Sequence, residues 1–288
     1  VENLFDTIDG PNNDSEFLPT GKKLWNSDKF LEKINHINKV FCELNTPMLI
    51  GLCEIENVNV LNEIISKNKA LKYYKTVHYD SKDARGIDVG MIYNSKKLKV
   101  ADQGFIRYIL PGQSQASSRD IVWAKFTYKK ESFYAMTNHW PSRRGGTEKS
   151  EEKRLKAANS ARHFIDSLLN IDPNTKIILM GDLNDYPSNK SVKLIMEKLN
   201  PKITSASNKF GGTHNYKGEW NILDHICISN GWNQGRVKSK NEIGHILTLE
   251  YMRSTYKGNI VPFRTYGGSK YLGGYSDHLP VFIEVILK

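Results

Sequence analysis

Five stretches of the 288-residue chain set a proton-moving or cation-holding side chain at one end of an apolar run. Met48-Leu-Ile-Gly-Leu-Cys runs into Glu54, and Phe133-Tyr-Ala-Met-Thr runs into Asn138-His139-Trp140. Lys176-Ile-Ile-Leu-Met runs into Gly181-Asp182-Leu183-Asn184, and Ile222-Leu223 into Asp224-His225. Ser276-Asp277-His278 stands just before the final run, Leu279 to Leu287. Runs this apolar are strand interiors rather than solvated loops. A charge buried beside one without a partner costs several kcal/mol. Such ends meeting on one rim would satisfy one another, and their oxygens would suit a hard divalent cation.

Taken singly, each has an ordinary alternative. Glu54 can be a strand-end salt-bridge partner and His139 a satisfied core histidine. Gly181 to Asn184 can be a turn whose Asp and Asn bond nearby backbone, and Asp277-His278 a cap. Together they are the parts that phosphate-ester hydrolysis calls for. A cation and imidazolium-type donors must be fixed where negative charge builds. A positioned acid or base adds roughly 10²–10⁴-fold. A carboxylate behind a histidine fixes its tautomer and keeps it readily protonated. On a strand His225 points away from the face that Asp224 uses, so it falls outside the set. Arginines suit substrate phosphate, because a guanidinium meets phosphate bidentately. Arg143 and Arg144 follow His139 in a loop with Pro141, Gly145 and Gly146, whose backbone amides can approach an anion, and Arg85 precedes Gly86. One of the Arg143-Arg144 pair can equally meet only solvent.

The elements that must hold these groups are legible as short apolar runs and a few long amphipathic ones. The runs Met48–Ile55, Val89–Tyr93, Ile121–Tyr128, Phe133–Asn138, Lys176–Met180, Ile222–Ile228 and Leu279–Leu287 read as strands. Ile121 to Asn138 reads as an antiparallel hairpin turning at Lys129-Lys130-Glu131, which disfavours a doubly wound parallel sheet. Phe30, Ile34, Ile37, Phe41 and Leu44 recur at helical spacing between Ser27 and Asn45, with Ser27 placed to cap the start. Leu155, Ala158, Phe164, Ile165 and Leu168 do the same from Glu148 to Leu169, ended by Asp172-Pro173. Weaker helices fit Val58–Asn68 and Ser191–Leu199. The pattern predicts two layers of sheet covered by helices.

The formal net charge of +10 favours a polyanionic partner, although a solvated basic surface is an equal reading of charge alone. No apolar window approaches the ~18 residues of a membrane span. No linker or repeat interrupts residues 1–288, which read as a single domain. The three cysteines, Cys42, Cys53 and Cys227, form neither a zinc spacing nor a disulfide framework, and read as small buried hydrophobes.

The set comprises Asn3 in Val-Glu-Asn-Leu-Phe, Glu54 in Gly-Leu-Cys-Glu-Ile-Glu-Asn, Asn138-His139-Trp140, Gly181-Asp182-Leu183-Asn184, Leu223-Asp224-His225 and Ser276-Asp277-His278-Leu279-Pro280. It resembles the endonuclease/exonuclease/phosphatase superfamily, which includes pancreatic-type DNases, abasic-site endonucleases, sphingomyelinases and inositol-polyphosphate 5-phosphatases. The resemblance runs in family order from Asn3 to Pro280. Arg85-Gly-Ile-Asp-Val-Gly and His139-Trp-Pro-Ser-Arg-Arg-Gly-Gly are similar to a bacterial branch often found exported. That resemblance implies a periplasmic or extracellular protein whose targeting segment would lie upstream of Val1.

The resemblance also implies a DNase I-like four-layer α/β sandwich, with two mixed β-sheets face to face and helices outside. It implies a Mg²⁺ site (Mn²⁺ or Ca²⁺ as alternatives) at Glu54 with Asn3 and Asp277. Asp182 is implied as the residue that orients or deprotonates the attacking water, with Asn184 holding it or the phosphate. His278 paired to Asp224 is implied at the phosphoryl oxygen, His139 at the transition state or leaving group, and Arg119 at a substrate phosphate. The expected activity is Mg²⁺-dependent phosphodiester hydrolysis by a monomeric nuclease on DNA or RNA. A phosphoesterase on a lipid headgroup, inositol phosphate or other small phosphoester is the second reading, and a non-catalytic binding module the third. The chain departs from calcium-stabilised secreted DNases in lacking their second acidic pair and disulfide. The stretches Asn208–Trp220 and Thr265–Tyr275, rich in Gly, Tyr and His, can stack a base, grip a sugar or only close turns.

Overall fold

The computed structural model describes residues 1–116 and 118–288. Alternation along the central strands builds its layers. In β6 (Glu131–His139), Phe133 and Ala135 face one side and Met136 the other. In β3 (Asp88–Asn94), Val89, Met91 and Tyr93 face inward and Ile92 outward. A six-stranded sheet runs β4 (Lys99–Ile106), β5 (Ile121–Tyr128), β6, β7 (Ile177–Asp182), then the strand Asp224–Ile228 and the short pair Asn200–Pro201. Only β6 and β7 in it are parallel. The second sheet runs β1 (Leu49–Ile55), β3, β2 (Tyr74–His78), all antiparallel, with Leu4 added by a parallel bridge to Ile55.

Between the sheets lie Val89, Met91, Val122, Phe126, Phe133, Ile178 and Ile226, with Tyr93 and Phe126 ring centroids 5.1 Å apart. Helices α1 (Ser27–Glu43) and α2 (Val58–Ser66) cover the smaller sheet through Ile34, Ile37, Phe41, Val60, Leu61 and Ile64. Helices α3 (Thr147–Ile171) and α4 (Lys190–Met196) cover the larger through Ala157, Ala158, Ala161, Ile165, Val192 and Ile195. Each buried Ile, Leu, Val or Phe among these contributes about 1.5–3 kcal/mol. The result is the expected four-layer sandwich of mixed sheets.

Some local expectations change. Asn26, not Ser27, caps α1, its side chain accepting the Lys29 N–H, so Ser27 is the first helical residue. Leu279–Leu287 is not one strand: Val281–Phe282 pairs with His245–Ile246, and Val285–Leu287 with Val237–Ser239. Cys42 lies exposed on α1 rather than buried. Strand β4 carries Lys99, Asp102 and Gln103 on an exposed sheet edge, where no apolar run announces it.

Candidate active site

The register of three adjacent strands assembles the centre of the site. Parallel pairing sets His139 opposite Asp182, and antiparallel pairing sets Asp224 opposite Asp182. Cross-strand partners share a face, so three chemistry-bearing side chains stand in a row at one sheet end. Gly181 makes this close approach possible. Its φ is 132°, and a Cβ there would meet the Asn138 carbonyl oxygen at 1.9 Å.

Three further site residues hold left-handed backbone that non-glycine residues seldom adopt: Asn3 (φ 42°), Glu54 (φ 61°) and Asn184 (φ 51°). Glu54 sits where the β1–β3 register shifts between Cys53 and Ile55. Such a bulge re-aims a side chain from a strand end. Its Oε2 accepts the Asn3 N–H at 2.8 Å, and its Oε1 lies 3.9 Å from His139 Nε2. His139 Nε2 is 3.6 Å from Asp182 Oδ2. Asp182 Oδ1 accepts the Asn184 N–H at 2.8 Å, and Asn184 Nδ2 donates to Trp140 O at 3.0 Å. His278 Nδ1 donates to Asp224 Oδ2 at 2.7 Å, and the His214 ring lies against it at 4.7 Å between centroids.

These contacts divide the protonation states. Burial opposes charge on His278, but the Asp224 and Asp182 carboxylates outweigh it and raise its pKa well above the ordinary value. Burial likewise works against the Asp224 anion, yet His278 holds its pKa below the ordinary carboxyl value. His139 goes the other way: burial, then the charges of Arg119 and Arg85, push it well below the ordinary value, so it is neutral. Burial brings His214 down to about 4, with His278 adding to the effect. Asp182 rises to about 7, chiefly by burial and then by the carboxylates of Asp224 and Glu54. A carboxyl poised there matches a general base working near neutral pH.

All of these groups line one cavity of about 1030 Å³, together with Arg85, Arg119, Arg143, Arg144, Lys153, Tyr186 and Tyr216. Arg119 does not stand free for phosphate. It is 5% exposed and donates from Nε to His139 O, from Nη2 to Trp140 O and from Nη1 to Asp83 Oδ2. It braces the His139–Trp140 segment instead. Arg143 stacks its guanidinium over Tyr186 at 4.0 Å and, among the described residues, leaves Nη1 without a hydrogen-bond partner. Asn3 enters through its backbone, and Asp277 Oδ2 accepts from Arg264 Nη2 at 2.9 Å. His225 is buried on the opposite side of its strand, with Nε2 2.9 Å from the Asp185 carbonyl.

A family model described as "Endonuclease/Exonuclease/phosphatase family" matches residues 1–287. The chain belongs to this family. Members hydrolyse phosphoesters and generally use a divalent metal. No curated protein sequence matches the chain. Solved structures share its fold. The mannosyl-6-phosphatase of Bacteroides thetaiotaomicron is 17% identical over 89% of this chain and 91% of its own, with a TM-score of 0.63. The human Nocturnin catalytic domain is 15% identical over 90% and 87%, with a TM-score of 0.60. Danio rerio TDP2 complexed with single-strand DNA product is 13% identical over 88% and 92%, with a TM-score of 0.61.

The residues of this family member suit a hard divalent cation. Glu54, Asp182, Asp224 and Asp277 bring four carboxylates into one cavity, and ligand atoms of Asp182, Asp224 and His278 lie within 4.8 Å of one another. Glu54 Oε1 lies 3.9 Å from Nε2 of neutral His139. Magnesium needs only one or two carboxylates beside waters and substrate.

The sequence reading missed several residues that complete the site. His214 lies in the Asn208–Trp220 stretch, which stands out for its Gly, aromatic and His groups without giving His214 a role of its own. Thr213 Oγ1 accepts the Leu223 and Asp224 N–H groups. Asp83 and Arg264 carry no motif signal, because their roles exist only through partners 36 and 13 residues away.

Proposed function

We propose that the chain is a Mg²⁺-dependent phosphodiesterase whose first candidate substrate is DNA or RNA. The observation that carries this reading is the convergence of Glu54, His139, Asp182, Asn184, Asp224 and His278 on one basic-walled cavity. Glu54 is the principal residue to hold the cation, with Asn3 fixing its orientation and Asp277 close to His278. When bound, the cation would neutralise developing charge on the phosphoryl oxygens.

The chain's own residues do the rest. Asp182 takes the proton of the attacking water, held in position by the Asn184 N–H. The His278 imidazolium donates to a phosphoryl oxygen, and Asp224 keeps it charged and oriented. Neutral His139 presents Nε2 between Glu54 and Asp182, where it can bond water or the leaving oxygen. Tyr216, 61% exposed at the cavity rim, offers a face for a base. One observation favours the second reading, a compact phosphoester: Arg85, Arg143 and Arg144 all line the same cavity as the hydrolytic groups.

The test is hydrolysis of bis-p-nitrophenyl phosphate with Mg²⁺. Asp182→Asn and His278→Ala are each expected to lower kcat by at least ~10²-fold with folding retained by circular dichroism. Undiminished activity in both would sink the assignment. A panel of plasmid DNA, RNA, sphingomyelin, phosphoinositides and nucleotides then separates the two substrate classes.

A further inference from the structure

The hydrolytic steps above make no use of a fully buried charge, Arg154. It lies on α3 at 0% exposure, one of the buried residues of that helix with Ala157, Ala158 and Ala161. Its Nε pairs with Asp185 Oδ2 at 2.8 Å, its Nη1 donates to Ser150 Oγ at 2.7 Å and its Nη2 to Thr147 O at 3.0 Å. Asp185 directly follows Asn184, and its Oδ2 also accepts from Ser191 Oγ at 2.6 Å. Ser150 Oγ in turn donates to Gly146 O at 2.7 Å. The chain Asn184–Asp185–Arg154–Ser150–Gly146 therefore ties the water-activating corner to the loop that carries Arg143 and Arg144. A buried ion pair adds little net stability over apolar side chains of the same volume. What this one does supply is a fixed relation between two walls of the cavity.

The second wall is built for charge beyond the reacting phosphate. The cation-binding carboxylates and His278 already serve that group. Arg85, Arg143, Arg144 and Lys153 add four cationic side chains to a cavity of about 1030 Å³, and Arg143 keeps a buried Nη1 without a hydrogen-bond partner among the described residues. Resting on the hydrolase reading above, we propose that Arg154 is a positioning residue that holds the Arg143–Arg144 wall at the distance from Asp182 required by a substrate with a second, non-reacting phosphate. That phosphate is the neighbouring one of a polynucleotide or the second one of a small bisphosphate.

Calorimetric binding with Mg²⁺ tests this, using adenosine 5′-monophosphate, adenosine 3′,5′-bisphosphate and a short oligothymidylate. The variants are Ser150→Ala, which removes the Ser150 arm of the link and leaves only Arg154 Nη2 on Thr147 O, and Arg154→Lys, which keeps the ion pair but loses the fork. Wild type should bind the bisphosphate ~10-fold or more tighter than the monophosphate, the scale of one charge-assisted bidentate contact. Both variants should lose most of that preference while kcat on bis-p-nitrophenyl phosphate stays within about twofold of wild type. If Arg154→Lys does not fold, Ser150→Ala carries the test alone. Further tightening on oligothymidylate assigns the second phosphate to a polynucleotide, and none beyond the bisphosphate assigns it to a small molecule. The proposal is overturned if wild type has no bisphosphate preference, if the folded variants keep it, or if kcat falls in step with it. No hydrolysis by wild type overturns the hydrolase reading instead, a separate result.

Discussion

At the scale of single residues, His278 and His139 take opposite protonation states because carboxylates outweigh burial at His278, whereas burial prevails at His139 and nearby arginines add to it. His278 faces Asp224 and Asp182, whereas His139 is buried beside Arg119 and Arg85. Asp224→Asn removes the carboxylate and leaves the burial, so the imidazolium loses its main support. Activity on bis-p-nitrophenyl phosphate should fall by roughly 10²–10⁴-fold. The alkaline limb of the pH–rate profile should move to lower pH, because the Asp224 carboxylate is the first charge that holds the His278 proton. The stability consequence has a definite sign. The folded pKa of His278 is raised, so its contribution is complete below the ordinary value of about 6.5 and is lost as pH rises through the folded one. Asp224 is depressed, so its share is present above about 3.9 and lost as pH falls through its folded value. The difference in melting temperature between wild type and Asp224→Asn should therefore be greatest between those two ordinary values and narrow at high pH. A gap that widens with rising pH would contradict the charged pair.

At the scale of elements, the site depends on the parallel approach of β6 and β7, and Gly181 is the residue that allows it. Gly181→Ala must place a Cβ against the Asn138 carbonyl oxygen in a backbone conformation that L-residues avoid. A loss of at least ~3 kcal/mol in urea unfolding is expected, with kcat reduced in whatever protein folds. Wild-type stability would show that β7 can shift away from β6. This corner was legible in the chain because Lys176 to Met180 is unbroken apolar strand and the Gly-Asp-Leu-Asn that follows breaks that pattern at once. The same logic exposed Glu54, His139, Asp224 and His278. At Arg119 and Asp277 the same logic could not reveal that Asp83 and Arg264, remote in sequence, occupy part of the bonding capacity. It failed for Arg154, because a helix surface with Lys149, Glu151, Glu152, Lys153 and Lys156 hides one arginine turned inward. Strand β4 escaped notice because an exposed edge needs no apolar pattern.

At the scale of the whole molecule, the excess of 41 basic over 31 acidic side chains acts on any polyanion before the site does. The four-layer core leaves the strand ends of both sheets to meet at a single cavity, and cationic groups line it beside the carboxylates. Nucleic acid and a small uncharged-tail ester should therefore respond differently to salt. A single strand neutralised by about three cationic side chains, such as Arg85, Arg143 and Arg144, releases counterions with a slope of log K against log salt near −2. The KM for oligothymidylate should then rise ~100-fold between 50 mM and 500 mM salt while the KM for bis-p-nitrophenyl phosphate changes little. Arg143→Ala together with Arg144→Ala should reduce that slope by roughly the share of two phosphates, to about −0.7. A flat salt response on oligothymidylate in wild type would remove the polymer as substrate and leave the compact phosphoester, because a contact confined to one or two charges inside the cavity has few counterions to release.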